Sequence, residues 1–237
     1  MKFDVLEWDS KFFGFGVARI TEPHVLDSDL SRILEELSEK NIRLVYWASD
    51  ISIGSEFAAR NNNGFHADRK TVFVRKISSK PELDCGDIEI KEYSDDTVSE
   101  ELQSLAVQAG LYSRYTVDPN MPQNAGDRMY SEWIKNSVNH SLADAVLVAY
   151  YNSKMVGMVT VGDKNDVGDI GLIAVDSTYR GQKIGSKLVV AAQRWFVDYG
   201  YTELQVVTQG DNNHACSLYE KCGYIVGEVS NFYHFWL

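Results

Sequence analysis

The sequence has little of what marks secreted, disulfide-bonded or membrane-spanning proteins. It contains only three cysteines, Cys85, Cys216 and Cys222, and this odd number without framework spacing indicates free thiols in a reducing compartment. No apolar run approaches the roughly 20 residues that cross a bilayer. The first residues show no apolar core followed by a cleavage site. We therefore expect a soluble protein of the cytoplasm without a membrane partner.

Basic residues are also scarce, with 23 Lys and Arg against 34 Asp and Glu, which gives a formal net charge of −11. Binding to nucleic acid depends on neutralising phosphates, so this charge balance argues against nucleic acid as a partner. It is still compatible with a small anionic ligand in a local cationic pocket. With 44% hydrophobic and 24% charged residues, the composition is typical of a folded globular protein.

A change in composition near residue 80 predicts two domains. Polar and turn-forming residues cluster over 78–87, directly after the apolar run 71–74. We predict a small N-terminal α/β domain over residues 1–80 and a second domain over 81–237. Strands alternate with helices on both sides, which favours an α/β sheet. The predicted strands are 17–20, 42–48, 69–76, 88–90, 145–151, 155–161, 170–175, 204–208 and 232–236, and the predicted helices are 27–40, 55–63, 95–109, 127–139, 184–199 and 213–222.

The end of the N-terminal part resembles the end of the chain. Both run strand, helix, glycine, aromatic residue and strand, with Gly64 and Gly223 in equivalent positions. In this register Arg60 stands where the second copy has Tyr219. Two interpretations stay open. The N-terminal copy is a repeat that has kept the shape without the groups for chemistry, or any two units of this kind look alike.

A basic segment over 176–188, between a strand and a long helix, has the features of a phosphate site. A loop entering a helix leaves backbone N–H groups unpaired, and the helix dipole adds partial positive charge there. Gly181 and Gly185 remove side chains that would hold a phosphate away from the backbone. No acidic residue lies between positions 176 and 198. The basic residues of the segment are Arg180, Lys183 and Lys187.

This segment resembles the acyl-CoA signature of GNAT acetyltransferases: Arg or Gln, two variable residues, Gly, one variable residue, then Gly or Ala. Arg180 and Gly185 match the ends, and Lys183 replaces the central Gly. We expect the backbone cradle to survive if Lys183 is helical. The resemblance implies that the CoA pyrophosphate binds residues 180–186 and that pantetheine pairs with the strand ending at 175. The positions implied to contact acyl-CoA are Ile173, Val175, Arg180, Gly181, Gln182, Lys183, Ile184, Gly185, Ser186 and Asn212.

A second stretch, residues 212–224, resembles another pattern of the same family. The matching residues are Asn212, Ala215, Tyr219, Gly223 and Tyr224. The resemblance implies that Asn212 contacts pantetheine and that Tyr219 lies near the thioester sulfur. Because a phenol has a pKa of about 10 and a thiol one of about 8.5, Tyr219 is protonated at neutral pH and can protonate the departing thiolate. Tyr219 is the predicted general acid, and packing of its ring on the sheet is the alternative.

The sequence does not identify a general base or a metal site. The groups left open as base are Tyr112, Asp118, Asp169 and a water chain. Cys216 and Cys222 have a spacing that fits neither a zinc site nor a redox pair, so we expect buried thiols and no metal. His214 lies at the other end of the helix from Tyr219 and is expected to be solvated.

A longer resemblance, to sugar-nucleotide N-acetyltransferases of the dTDP-fucosamine acetyltransferase type, covers most of the chain. The similar segments are 7–14, 112–115, 118–119, Tyr130, 133–136 and 208–212. It implies a GNAT fold with a mixed, mostly antiparallel, splayed sheet flanked by helices, plus an N-terminal domain like half a GNAT unit. It also implies a nucleotide-linked amino-deoxysugar as acceptor, made for a bacterial surface polysaccharide such as O-antigen.

The residues expected to contact this acceptor are Tyr112, Arg114, Tyr115 and Asp118. An arginine can hold a diphosphate in a bidentate way, and tyrosines can stack on a pyrimidine or a sugar. Trp133 lies on an apolar helix face, where a place in the core is the favoured interpretation.

Several alternatives stay open. The acceptor could be a protein or peptide, a polyamine or an antibiotic, and the acidic surface favours such cationic acceptors. The chain could also be a non-catalytic acyl-CoA sensor. The aromatic run 232–236 is compatible with strand pairing across two copies in a homodimer and with a closing strand of the core.

Overall fold

Ten strands form one continuous sheet in the computed structural model, which describes residues 2–237. The strands are β1 Phe3–Val5, β2 Gly16–Ile20, β3 Ile42–Ser49, β4 Phe65–Lys76, β5 Glu89–Glu92, β6 Ala145–Tyr151, β7 Lys154–Lys164, β8 Val167–Val175, β9 Glu203–Gln209 and β10 Ile225–Trp236. The helices are α1 Glu7–Phe13, α2 Asp27–Glu39, α3 Ile53–Asn61, α4 Glu100–Ala109, α5 Arg114–Val117, α6 Ala125–Val138, α7 Ile184–Asp198 and α8 Asn213–Lys221. Over residues 2–237, no helix has both the length and the hydropathy needed to cross a bilayer.

The order of the strands shows that the internal similarity is structural. The sheet runs β1-β2-β3-β10-β4-β9-β8-β7-β6-β5. The runs β2-α2-β3-α3-β4 and β8-α7-β9-α8-β10 each begin with a pair of strands that are parallel to each other, β2 with β3 and β8 with β9. The last strands of the two runs, β4 and β10, pair with each other in the middle of the sheet. Each copy therefore places its final strand between the final strand and the preceding strand of the other copy.

The predicted division at residue 80 falls between β4 and β5, in a segment without regular structure. The hydrogen bonds of the sheet cross this division, because β4 pairs with both β9 and β10. The two-domain division itself stays a prediction. Both edges of β10 are occupied by strands of the same chain over 231–234, and Phe235 and Trp236 pair with β3. Residues 232–236 therefore form a strand inside the sheet, and a homodimer stays a prediction.

Amphipathic helices cover both faces of the sheet. In α2, Leu30, Ile33, Leu34 and Leu37 recur at helical spacing and all are buried. Helix α7 packs on β6, β7 and β8, whereas α4 packs on β7 and β8 from the other face, beside α6. The sheet therefore separates two large clusters of buried side chains, and α2 and α3 cover a third over the N-terminal strands.

Two kinds of boundary differ from the sequence-based predictions. The helix predicted from residue 95 begins at Glu100, because the Ser99 side chain accepts a hydrogen bond from the backbone N–H of Leu102 and caps the helix there. Strands β4 and β10 begin four and seven residues before the predicted positions 69 and 232. The extra residues of each strand are extended because they pair with the predicted part of the other strand: 225–231 pair with 69–74, and 65–68 pair with 232–234. Strand β1 and helices α1 and α5 were not predicted from the sequence.

Candidate functional site

Strands β8 and β9 separate part-way along their length, and a cavity lies beside the point of separation. The parallel ladder between them covers only Gly168–Ile170 and Leu204–Val206. Strand β8 continues to Val175, paired on its other edge with β7. Its β9-facing edge past Ile170 therefore has no strand partner over the described residues, 2–237. A cavity of about 580 Å³, called cavity A, opens beside this edge. Its lining includes Tyr112, Ile173, Val175, Arg180, Gly181, Lys183, Ile184, Gly185, Ser186, Asn212 and Tyr219.

The N-terminus of α7 forms one wall of cavity A. Ile184, Gly185 and Ser186 line the cavity, and the first turn of the helix carries no acidic residue. Unpaired N–H groups and the helix dipole favour an anion at this wall. Lys183 precedes the helix with φ 60° and ψ 13°, so the helical conformation that was the condition for its backbone contact is not present. This left-handed geometry suits the glycine that the family signature has at that position and strains a lysine.

Not every predicted cation reaches cavity A. Arg180 lines it and donates from Nε to the Val175 carbonyl at 3.2 Å. Lys187 does not line it, because its Nζ donates to the Cys85 carbonyl at 2.6 Å and ties the 78–88 segment to α7. Lys187 therefore does not contact a ligand of cavity A directly, and its contribution of charge stays a prediction. Gln182 is exposed in the same loop and lies outside the cavity lining.

Tyr219 and Asn212 meet at the α8 side of cavity A. The Asn212 side-chain oxygen accepts from the Ala215 backbone N–H at 3.2 Å and caps α8, which leaves its amide nitrogen for a ligand. Tyr219 is only 2% exposed, and its ring packs against Phe73 and Tyr224. Burial raises the pKa of Tyr219 above the ordinary value. The phenol is thus protonated at neutral pH and faces the cavity, as a proton donor must be.

A second cavity adjoins cavity A along the same strand. Cavity B, of about 510 Å³, is lined on β8 by residues 169–172, immediately before the residues that line cavity A. Its other lining includes Asp68, Lys70, Arg114, Tyr115, Tyr130 and Trp133. Trp133 is half-buried and belongs to the cavity wall, so its predicted place in the core is only partly correct. Tyr112 lies on the wall of cavity A, away from Arg114 and Tyr115.

A third cavity continues from cavity B toward the N-terminal segment. Cavity C has a volume of about 440 Å³. The residues that line both cavities are Lys70, Arg114, Tyr115, Trp133 and Phe232. Its remaining lining comes mainly from elements near the N-terminus and includes Leu6, Trp8, Asp9, Arg19 and Tyr46. The shared wall carries two cationic side chains, Lys70 and Arg114.

Arg114 makes no salt bridge in this wall, although Asp68 of cavity B and Asp9 of cavity C interact with its charge at longer range. Its Nη2 donates a hydrogen bond to the Tyr115 hydroxyl. Its Cζ lies 4.4 Å from the ring centroids of Tyr115 and Phe232 and 5.0 Å from that of Tyr46. Its Nε is buried without a hydrogen-bond partner, and no carboxylate oxygen of residues 2–237 lies within 4.0 Å of its nitrogens. Aromatic rings stabilise a guanidinium only in part. A cation held this way, beside two cavities, favours an anionic ligand.

Asp68 is the functional candidate that the sequence did not reveal. It lies on β4 in the wall of cavity B, and its Oδ1 is buried without a hydrogen-bond partner. Burial raises the pKa of Asp68 to about 7, against the lowering effect of Arg114. Burial also raises the pKa of Asp169, but that carboxylate accepts a hydrogen bond from Gln205 at 2.8 Å. No motif surrounds Asp68, so only the fold could identify it.

Asp118 lies outside the lining of cavities A, B and C and is 3% exposed. Its Oδ2 accepts hydrogen bonds from His234 Nδ1 at 2.7 Å and Trp236 Nε1 at 2.9 Å. Burial alone would raise the pKa of Asp118, but these donors and the Asn120 N–H outweigh it and hold the pKa below the ordinary value. Direct contact of Asp118 with substrate, and a role as base, are therefore wrong. Its side chain joins the end of α5 to β10.

The sequence of this chain is similar to those of known proteins. The model of the acetyltransferase (GNAT) family matches residues 110–224. N-alpha-acetyltransferase 30 of Schizosaccharomyces pombe is 31% identical over 102 residues, which are 40% of this chain and 67% of that protein. The chain belongs to the GNAT acetyltransferase family. The spore coat polysaccharide biosynthesis protein SpsD of Bacillus subtilis is a further relative, 26% identical over 138 residues. That match covers 58% of this chain and 47% of SpsD, so the chain spans about half the length of this relative.

Solved structures confirm the GNAT fold. A GCN5-related N-acetyltransferase from Sphaerobacter thermophilus has a TM-score of 0.68 at 16% identity, over 98% of this chain and 75% of that chain. Both the predicted fold class and the predicted family are confirmed. GNAT proteins are acyl-CoA-dependent N-acyltransferases, with acyl-CoA as a cosubstrate. Cavity A fits such a molecule, because its helix N-terminus and Arg180 suit a pyrophosphate and the unpaired edge of β8 suits the amides of pantetheine.

Proposed function

We propose that the protein transfers an acyl group, acetyl by default, from acyl-CoA to the amine of a nucleotide-linked amino-dideoxysugar. The dTDP sugars are the class that the sequence favours, for a bacterial surface polysaccharide. The observation that carries the proposal is Arg114, a buried guanidinium with an unpaired Nε and no salt bridge in the wall of cavity B, next to the residues of β8 that begin cavity A. Three free thiols support the cytoplasm as the compartment.

The proposed reaction uses one group from each cavity. The acceptor amine lies in cavity B and attacks the thioester carbonyl, which stands at the end of cavity A beside β8. As the C–N bond forms, the amine transfers its proton to the Asp68 carboxylate, directly or through a water molecule. The C–S bond then breaks, and Tyr219 protonates the departing thiolate. Asp68 and Tyr219 return to their starting states by exchange of a proton with solvent.

The charges of cavity B favour an anionic acceptor over the alternatives. The charged residues that line cavity B are three cations, Lys70, Arg114 and Lys164, and two carboxylates, Asp68 and Asp169. A polyamine or an aminoglycoside carries several positive charges, which this excess of cations would repel. A nucleotide-linked sugar instead supplies a diphosphate that the guanidinium can hold. The name of the SpsD relative, which refers to polysaccharide biosynthesis, is in keeping with this choice. The name of the N-alpha-acetyltransferase relative keeps a peptide amine as the second candidate.

The test is thiol release from acetyl-CoA against a panel of amines. The panel holds dTDP-3-amino and dTDP-4-amino dideoxyhexoses, spermidine, an aminoglycoside and short peptides with free N-termini. We expect release only with a dTDP-amino sugar, and the position of its amine gives the regiochemistry. Release with a peptide or a polyamine alone would contradict the proposed acceptor but not the acyltransferase activity. Binding of acetyl-CoA without release from any amine would overturn the enzyme in favour of a sensor.

A further inference from the structure

Cavity C extends the acceptor site beyond what the transfer of an acyl group requires. The amine and the thioester meet where cavities A and B adjoin on β8. Cavity C shares Arg114 and Lys70 with cavity B, and five of its 13 lining residues are aromatic. A small amine would fill cavity B alone. A third cavity that shares the two cations with cavity B indicates an acceptor with a second, larger part.

The wall of cavity C has the chemistry of a site for a flat ring. Trp8, Tyr46 and Trp133 contribute aromatic surface. Trp8 is 47% exposed, and its indole stacks on Phe12 with a centroid distance of 5.0 Å and an interplanar angle of 11°. This stacking fixes the indole while part of it remains open to a ligand. Loss of one such stacking ring weakens the binding of a nucleobase by about five- to 100-fold.

We propose that cavity C binds the nucleobase of the acceptor, which places the diphosphate at Arg114 and Lys70 and the amino sugar in cavity B. This proposal rests on the proposed function and divides its substrate into three parts. The order of the chemistry along the cavities matches the order of the groups in a sugar nucleotide. The base lies between aromatic rings, the anionic linker lies at the two cations of the shared wall, and the amine lies beside Asp68.

The polar residues of cavity C favour an imide base, thymine or uracil. Asp9 and Arg19 belong to the part of the wall that cavity B does not share. A carboxylate can accept the ring N–H of an imide, and a guanidinium can donate to an adjacent carbonyl. Arg19 is held in place by Asp4, whose Oδ2 accepts from Nη2 of Arg19 at 2.9 Å. Cytosine has no ring N–H at that position, so Asp9 discriminates against it.

The experiment is isothermal titration of the full chain with dTDP, a probe that has the base and the diphosphate but no amine. Trp8→Ala is expected to raise the Kd of dTDP about tenfold, whereas Trp8→Phe keeps a stacking ring and stays within about threefold of wild type. The matched control is Phe57→Ala, an exposed aromatic residue on α3 outside the linings of cavities A, B and C. It is expected to leave the Kd of dTDP unchanged. The Kd of acetyl-CoA, measured on every variant, shows that each one is folded.

A second titration tests which nucleobase cavity C prefers. Wild type is expected to bind dTDP at least about fivefold more tightly than dCDP, and Asp9→Asn to lose this preference, since an amide offers both a donor and an acceptor. The proposal is overturned if dTDP does not bind, if it binds equally well to Trp8→Ala, or if wild type shows no preference for dTDP.

The two proposals fail separately. If an amine is acylated while dTDP neither binds nor competes, cavity C is not a nucleobase site and the acyltransferase stands. If dTDP binds through Trp8 while no amine is acylated, the proposed function fails and the nucleobase site stands.

Discussion

The carboxylate of Asp118 accepts a hydrogen bond from Nδ1 of His234 at 2.7 Å, although the two residues lie 116 positions apart in the chain. Both side chains are fully buried. Burial holds the pKa of His234 below its ordinary value, so the ring is neutral at pH 7 and carries its proton on Nδ1. The pair joins the segment that carries Arg114 to the strand that carries Phe232. The pair therefore supports, from outside, two walls that cavities B and C share.

Removal of this carboxylate is expected to destabilise the protein strongly. Asp118→Ala leaves the Nδ1–H of His234 and the Nε1–H of Trp236 buried without acceptors, which costs about 3 kcal/mol of the free energy of unfolding. Denaturant unfolding measures the change, and Asp87→Ala at an exposed position is the control, expected within about 0.5 kcal/mol of wild type. Because the folded-state pKa of Asp118 is lowered, its contribution is complete above pH about 4 and disappears as the pH falls through the folded value. Equal stability of the two variants would contradict this role.

Tyr219→Phe is expected to lower kcat by about 10²–10⁴-fold, because the thiolate then leaves without a proton from the enzyme. The Kd of acetyl-CoA should stay close to the wild-type value, since the buried ring still packs on Phe73 and Tyr224. Thiol release under saturating substrate measures kcat, and titration with acetyl-CoA measures the Kd. A kcat within threefold of wild type would show that Tyr219 only packs on the sheet.

Asp68 should set the acid limb of the pH profile. A carboxylate with a pKa of about 7 is protonated below that pH and cannot accept the proton of the amine, so kcat/KM falls as the pH drops through 7. Asp68→Asn is expected to lose both this inflection and most of the rate. Asp169→Asn is the matched control, since it removes a carboxylate of the same cavity and is expected to keep the inflection. The reverse pattern would make Asp169 the base.

Lys183→Gly should raise the free energy of unfolding by about 0.5–1 kcal/mol. The left-handed backbone strains a lysine by about 1–2 kcal/mol, and the greater flexibility of glycine in the unfolded chain offsets part of that gain. Lys183→Ala loses the same charge but keeps the strain, so both variants should bind acetyl-CoA more weakly and only the glycine variant should be more stable. Thermal unfolding and acetyl-CoA titration separate the two effects. Equal stability of the glycine and alanine variants would contradict the strain.

The cofactor side of the site could be predicted from the sequence because its parts are local in the chain. The cradle of cavity A lies within one loop and the first turn of α7, and Asn212 and Tyr219 lie on one helix. The conformation of Lys183 could not be predicted, because a residue that replaces a glycine gives no sign of whether it keeps the glycine backbone geometry.

The residues that line cavities B and C were predicted less well, because they come from segments that are distant in the chain. Arg114 and Tyr115 were predicted at the site and line cavities B and C, whereas Asp118, four residues after Arg114, points into the core. The sequence of the short α5 segment has no period from which the facing of each side chain could be read.

The sequence by itself determined the GNAT family and the alternation of strands and helices, and it identified the loop before α7 and Tyr219, which line cavity A. Each of these depends on residue spacing within a helix or a loop, where neighbours in sequence are neighbours in space. The tertiary structure decided that β10 enters between β3 and β4, and with it that Asp68 and Arg114 share one cavity. In a strand, a shift of one residue in register turns every side chain to the opposite face. Only the pairing of β4 with β9 and β10 could therefore place Asp68 in the wall of cavity B.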